Sequence, residues 1–341
     1  MSRRKILFIG GLYSAEYSML KSFEQNNSDL YFIMDESEFG EIYKQAFFKF
    51  LRNKKRVTFI KEDDLKKEIE KFRPDAIIQR LFLGKVYSFR KASSIAKEMG
   101  VPLIKWCAET DYHDTNGERF EDCDLALFSH NTDFITDVAK KSKTKCYFFP
   151  YGVSSNFERK IDIEKTNSFG TIGRFHKGLQ KRIENISLFS SALGSFNQKL
   201  NVYSDDWSDA EDNIKTNIKV NRQYKIEDSI KIINNSEVIL NIESIFDFQG
   251  AYSHKLWQAA GCGIPVITNY KECVRELFGP NGENVIYISN RDELIYAIHI
   301  LLSNKKFRKE LGERCYKFTH NQFDWYKRLE FVFLKNNIWK K

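Results

Sequence analysis

Twice along this chain of 341 residues, short continuous apolar runs alternate with amphipathic stretches, and that rhythm constrains the fold most. The first series is "KILFIG" (5–10), "LYFIM" (30–34), "DAIIQ" (75–79), "VPLIKW" (101–106), "DLALFS" (124–129) and "KCYFFP" (145–150). Amphipathic stretches such as "DDLKKEIEKF" (63–72) and "SFRKASSIAKEMG" (88–100) separate them, with Asp63 or Asp64 as expected cap and Gly100 as stop. Strands that are apolar throughout, rather than alternating, predict a parallel sheet covered by helices on both faces.

The rhythm breaks once, in the polar stretch "YGVSSNFERKIDIEKTNS" (151–168), and then restarts. "FGTIG" (169–173), "KLNVYS" (199–204), "NIKV" (217–220), "EVILNI" (237–242), "PVIT" (265–268) and "NVIYIS" (284–289) form the second series. Helical patterns at 225–236 and 291–304 intervene, and an aromatic-rich amphipathic helix closes the chain at 323–341. The expected organisation is two Rossmann-like α/β domains: 1–155 together with the returning helix 323–341, and 156–322. In such sheets ligands bind beyond the carboxyl ends of the strands, and two domains facing one another would share a central cleft.

Composition removes several classes. Hydrophobic residues at 42% and charged residues at 29% describe a folded globular protein, not a disordered one. No run approaches the roughly 18 apolar residues of a membrane span, and the apolar run in "MSRRKILFIGG" is too short for a signal peptide. Six cysteines without a C-x-x-C pair argue against zinc and dithiol sites and for reduced thiols in the cytoplasm. The net charge of +8 suits a phosphate-bearing ligand or an anionic membrane surface. It is spread rather than clustered, which disfavours nucleic acid.

"SHKLWQAAGCGIPVIT" (253–268) reads as a helix that meets a glycine turn and leaves as a strand. The helix start carries Ser253, His254 and Lys255, with Gln258 one turn on, where N–H groups and the helix dipole favour an anion. Gly261 and Gly263 read as turn and packing residues. Gly10 and Gly11 follow the first strand, where backbone amides can approach a ligand. "GTIGRFHKG" sets Arg174 and Lys177 after the first strand of the second series. "KWCAETDYHDTNG" (105–117) gathers Glu109, Asp111, His113 and Asp114 behind a central strand, with Asp111 and His113 leading as general base.

Three segments in order carry a family likeness: "KLWQAAGCGIPVIT", "ECVRELFGPNGENVIYISNRDELIYAIHILLSN" and "FRKELGERCYKFTHNQFDWYKRL". They resemble the donor-binding domain of GT-B glycosyltransferases, nearest to the CgeB-like spore-maturation proteins and glycosyltransferase family 4. "YFFPYGVSSNFE" (147–158) is similar to the inter-domain stretch of that fold. The resemblance implies transfer of a sugar from a nucleotide diphosphate-sugar to a glycan, a lipid-linked glycan or a protein, with no metal or other cofactor. It also implies donor contacts from Arg174, Lys177, His254, Lys255, Gln258 and Glu276, beside the first-strand glycines Gly10 and Gly11.

Departures accompany the likeness. Family 4 relatives commonly carry Glu where Gln258 stands, and an acid eight positions upstream, at Gly250 here. Gln keeps an acceptor for a ribose hydroxyl and adds a donor. The relatives' Arg and Lys are usually five apart rather than three, so Lys181 or Arg182 competes with Lys177 for the lysine's role. Glu276 reads either as a sugar contact or as a helix cap. A nucleotide-sugar epimerase and a non-catalytic binder of nucleotide or glycan stay open as alternatives.

Overall fold

The computed structural model describes residues 3–11, 14–35, 57–81, 91–108, 120–129, 133–173, 180–203, 216–221, 228–242 and 252–339. The chain divides into two compact units, Met1–Gly152 with Phe323–Lys341, and Val153–Gln322.

The first unit holds seven strands, β1 (Lys5–Ile9), β2 (Asp29–Asp35), β3 (Val57–Ile60), β4 (Ala76–Leu81), β5 (Leu103–Cys107), β6 (Leu125–Phe128) and β7 (Cys146–Phe148). Its helices include α1 (Ser14–Gln25), α2 (Leu65–Phe72), α3 (Ala92–Met99) and α4 (Asp133–Ser142). The sheet runs β3-β2-β1-β4-β5-β6-β7, and all its pairings are parallel. β1 and β4 are buried along nearly their whole length, as continuous apolar runs require. β3 is the strand the sequence pattern does not announce. It lies at the sheet's end with two of its four residues half-buried, and four residues between charges give little periodic signal.

Helix ends follow the sequence in one case and not in another. Gly100 closes α3 in the left-handed region, at φ 64°, with its N–H on the Ala96 and Lys97 carbonyls. The expected cap at Asp63 or Asp64 does not form. Asp64 takes helical φ/ψ at the α2 N-cap without a side-chain bond, because a short 3-10 turn precedes the helix. Asp63 instead accepts from Lys91 Nζ at 2.9 Å, which holds its carboxyl below the usual carboxylate range.

The second unit contains β8 (Asn167–Ile172), α5 (Gln180–Gly194), β9 (Leu200–Tyr203), β10 (Ile218–Asn221), α6 (Ser229–Asn234) and β11 (Ser236–Asn241). There follow α7 (His254–Gly261), β12 (Val266–Asn269), α8 (Glu272–Phe278), β13 (Ile286–Ile288), α9 (Arg291–Ser303) and α10 (Lys305–Gln322). The strand order β10-β9-β8-β11-β12-β13 repeats the first unit's pattern, third-second-first-fourth-fifth-sixth. Phe169, Phe189, Leu240, Ile267 and Ile298 lie in its main core.

The polar stretch where the rhythm breaks contains the boundary between the units, and from Val153 on it is pinned to the second unit. Ser154 N–H donates to Glu158 Oε2 at 2.8 Å, and the Ile161 and Thr166 amides donate to the Asn234 and Asn235 side chains. Side-chain oxygens satisfy this backbone where no helix or strand ladder does so.

The last helix, α11 (Trp325–Lys335), belongs to the first unit. Asp324 caps it by accepting from Lys327 N–H at 2.9 Å. Trp325 stands 5.7 Å from Trp106 and 5.9 Å from Phe149, and its indole N–H donates to Ser18 Oγ at 3.1 Å. Truncating so buried a tryptophan costs about 3–5 kcal/mol, which makes the chain's return a structural commitment. A Cβ at Gly152 would lie 2.6 Å from the Phe323 carbonyl, so glycine is required where the two ends of this unit meet.

Candidate functional site

The carboxyl ends of the second unit's strands gather its polar groups. Gly173 follows β8, and its N–H extends the ladder to the Tyr203 carbonyl at 3.3 Å. A Cβ there would fall within 3 Å of both Arg182 Nη2 and Lys255 Nζ, so the two cationic heads close on this backbone in space that glycine leaves open. Arg182 comes from the first turn of α5 and is 5% exposed; Lys255 comes from the first turn of α7. Bringing two like charges to one backbone position favours an anion beside them. Arg adds a fork matched to phosphate oxygens and Lys a point charge.

α7 presents its amino end at this edge. Ser253 caps the helix by accepting from Lys255 N–H at 3.3 Å, so one terminal amide is already satisfied within the protein. His254, Lys255 and Gln258 occupy successive positions around the first turns, His254 and Gln258 four apart and buried. Gln258 is 2% exposed, and its Nε2 has no hydrogen-bond partner among the described residues. A buried amide donor costs free energy until it finds an acceptor.

The glycine turn after α7 serves packing. Gly263 adopts φ 70°, and its carbonyl approaches Gly312 of α10 so closely that a Cβ at Gly312 would overlap it. His320 of α10 meets the Gly261 carbonyl at 2.9 Å. Trp257, fully buried, packs at 4.8 Å against the tilted ring of Tyr252 and edge-on at 4.9 Å with Phe278. These contacts fix α7, and with it the heading of Lys255 and Gln258.

Two asparagines that sequence reasoning missed line the same edge. Asn241, the last residue of β11, donates to Thr268 Oγ1 at 3.1 Å, and Asn269, the last of β12, donates to Asn185 of α5 at 3.3 Å. The signal was present in "VILN" and "VITN", apolar strands each ending in the same amide residue. The Asn269–Asn185 bond ties β12 to the helix that carries Arg182.

The expected residues distribute unevenly. Lys255 and Gln258 adjoin, and Arg182, weighed for the lysine's role, joins Lys255 at Gly173. Glu276 stands apart, exposed in the last turn of α8, where it caps no helix start and touches none of these residues. Its neighbour Glu272 is bound by Arg275 and by the Tyr270 hydroxyl, which together pull its carboxyl down to about 2. Gly10 holds φ 140° and gives its N–H to the Ile33 carbonyl at 3.0 Å, so that amide is engaged by the sheet. Gly11 is buried beside it. Arg174, Lys177, Gly250, Glu109, Asp111, His113 and Asp114 lie outside the described residues.

Among the described residues no group of three or more His, Cys, Asp or Glu side chains could hold a metal ion, and no helix is long and apolar enough to cross a membrane. The six cysteines are free thiols. Burial pushes Cys315 up to about 12 and Cys123 and Cys146 to about 11, as inert thiols require.

Residues 181–333 match a family model described as glycosyl transferase-like. A sequence search finds no match among curated proteins. Solved structures are similar over nearly the whole length. A glycosyltransferase from Rickettsia africae ESF-5 superposes with a TM-score of 0.69 at 11% identity, covering 99% of each chain. Anabaena HepE, solved with UDP and glucose, gives 0.66 at 12% identity, covering 98% of this chain and 100% of its own. A putative UDP-N-acetylglucosamine 2-epimerase from Listeria monocytogenes gives 0.60 at 11% identity, covering 100% and 98%. Two parallel-sheet α/β units with the same strand order, matched end to end by these structures, give this chain the GT-B fold of glycosyltransferases, with its glycosyl transferase-like segment beginning in the helix of Arg182.

Proposed function

We propose that the protein is a glycosyltransferase that binds a nucleotide diphosphate-sugar at the carboxyl edge of the second unit and moves the sugar to a hydroxyl of a glycan, lipid-linked glycan or protein. The observation that carries this reading is the approach of Arg182 and Lys255 to Gly173, one helical turn from the buried amide of Gln258. The cations and the α7 amino end would hold the diphosphate, and Gln258 a ribose hydroxyl, through its carbonyl as acceptor and its Nε2 as donor. UDP and UDP-sugar complexes of the similar Anabaena HepE make a uridine nucleotide the first donor to try. The order of motifs from Lys255 to Leu329 supports kinship with CgeB-like and family 4 enzymes and a hexosyl donor.

In the reaction the bond from the anomeric carbon to the diphosphate oxygen breaks, and a bond from that carbon to the acceptor oxygen forms. The electron pair leaves with the diphosphate, where the Arg182 and Lys255 charges stabilise it as it develops. The acceptor proton passes to a side-chain base in an inverting reaction, for which Asp111 and His113 are the proposed residues. In a retaining reaction it passes to the departing phosphate oxygen. This reading assigns charge neutralisation to cations and backbone amides, and predicts activity that persists in a chelator.

The test is incubation with a panel of nucleotide sugars while following nucleotide release with and without acceptor extracts. Release that depends on acceptor supports transfer. The likeness to the Listeria protein supports a second reading, and interconversion of the sugar without nucleotide release would select the epimerase. Binding without either would mark a non-catalytic module.

A further inference from the structure

The first unit exposes aromatic rings along one edge of its sheet. Among its described residues the large exposed hydrophobics are Phe331 at 65% and Phe148 at 36%. Phe331 lies at the middle of α11, with Lys327 and Lys335 exposed one turn to either side. Phe148 ends β7, the last strand of the sheet. The two elements touch: Tyr147 donates its hydroxyl to Asn336 Oδ1 at 3.2 Å, and Lys335 Nζ stands 5.5 Å from the Tyr147 ring and 6.0 Å from that of Phe331. The segment leading into β7, "KKSKTK" (140–145), adds four exposed lysines and no acid, while α11 contributes one acid, the half-buried Glu330.

We propose that this edge, α11 with β7, is the face by which the protein rests on an anionic lipid surface. A phenylalanine standing out between lysines at i−4 and i+4 can enter the headgroup layer. The lysine stems then lie along apolar surface while their ammonium groups reach lipid phosphates. Six lysines on α11 and the segment before β7, against Glu330 and the exposed Glu121, Asp122 and Asp124 of the adjoining turn, leave this edge net positive, within a chain of net charge +8. The same lysines oppose the alternative occupant, a second copy pairing at the β7 edge, because charged side chains keep edge strands apart. Nucleic acid fits less well, since the exposed ring lies on a helix between lysines rather than in a groove of stacking platforms. The inference is independent of the transferase reading, because none of these residues belongs to the nucleotide edge.

Vesicle sedimentation of the full chain tests it, with phosphatidylcholine vesicles with and without phosphatidylglycerol. Binding is expected only with phosphatidylglycerol and falls as salt rises. Lys335→Gln should lower the partition coefficient about fivefold, and the Lys327→Gln, Lys335→Gln pair about 25-fold. Phe331→Ser should weaken binding several-fold further, with Tm and nucleotide-release rate unchanged in every variant. Equal vesicle binding by wild type and the triple variant would overturn the proposal, as would no binding to phosphatidylglycerol vesicles. So would a concentration-dependent dimer lost on Phe331→Ser, or binding of oligo-dT without vesicle binding.

Discussion

The two units solve the same chain geometry with opposite charges. In each, the first strand is followed by a glycine whose N–H bonds the neighbouring strand, Gly10 to Ile33 and Gly173 to Tyr203. In each, the third residue of the first described helix after that strand is buried and ionisable, Glu16 in α1 and Arg182 in α5. Glu16 meets Arg80 of β4 in a buried ion pair, with Arg80 also set 5.8 Å from the centre of the Trp106 ring. Arg182 meets Lys255 across Gly173. A position that closes an ion pair in one unit assembles two cations in the other. The first arrangement is an ion pair within the protein, and the second sets two cationic heads at one glycine.

The largest effect expected from this contrast is on stability. Arg80→Met leaves Glu16 buried without its charge partner and should cost about 3–5 kcal/mol, read as a drop in Tm. Arg182→Met keeps the aliphatic stem and removes one of two like charges, and Tm should move far less. Equal losses would make Arg182 structural, like its counterpart, and would dissolve the contrast.

Next come the paired glycines. Gly173→Ala should lower nucleotide affinity tenfold or more, because its Cβ would displace both cationic heads. Gly10→Ala strains a backbone at φ 140° and should lower Tm without changing nucleotide affinity, measured by calorimetry. Comparable losses of affinity would return Gly10 to the nucleotide site. Within the second unit, Gln258→Ala should raise the donor KM about fivefold to tenfold, the scale of one lost neutral hydrogen bond. Gln258→Glu should be tolerated, since a carboxylate accepts from hydroxyls. Wild-type kinetics in Gln258→Ala would remove the residue from the donor site.

The smallest effect sits on the surface beside that edge. Hydrogen bonds from Arg275 and Tyr270 hold the Glu272 carboxyl down to about 2, below its ordinary 4.5. The depressed value means that its contribution to stability is present above about pH 4.5 and lost as pH falls through about 2. An NMR titration of Glu272 checks the shift, and Arg275→Gln should move its midpoint up towards the ordinary value. A midpoint that does not move would assign the shift elsewhere.

Much of this was legible in the residues. Continuous apolar strands gave twelve of the thirteen described strands. β3 escaped because a four-residue run at the sheet's end carries no period to read. The helix–glycine–strand passage at 253–268 was read correctly as α7, turn and β12, since glycine and proline punctuate sequence strongly. The meeting of Arg182 with Lys255 was not legible, since 73 residues separate them and only the placement of α5 and α7 at one sheet edge joins them. Nor was the engagement of Gly10 N–H by Ile33, because a glycine after a strand reads alike whether its amide faces a ligand or a neighbouring strand.

The central claim is that the carboxyl edge of the second unit binds a diphosphate through Arg182 and Lys255. Calorimetry of UDP with wild type, Arg182→Ala, Lys255→Ala and the double variant tests it most directly, with uridine as the control ligand. Each single variant should lose about 1.5–3 kcal/mol of UDP affinity, the scale of a charge-assisted contact. The double variant should fall short of the sum, because the two heads share one anion, and uridine affinity should not change. Unaltered UDP affinity in folded variants would contradict the account and move the phosphate site away from Gly173.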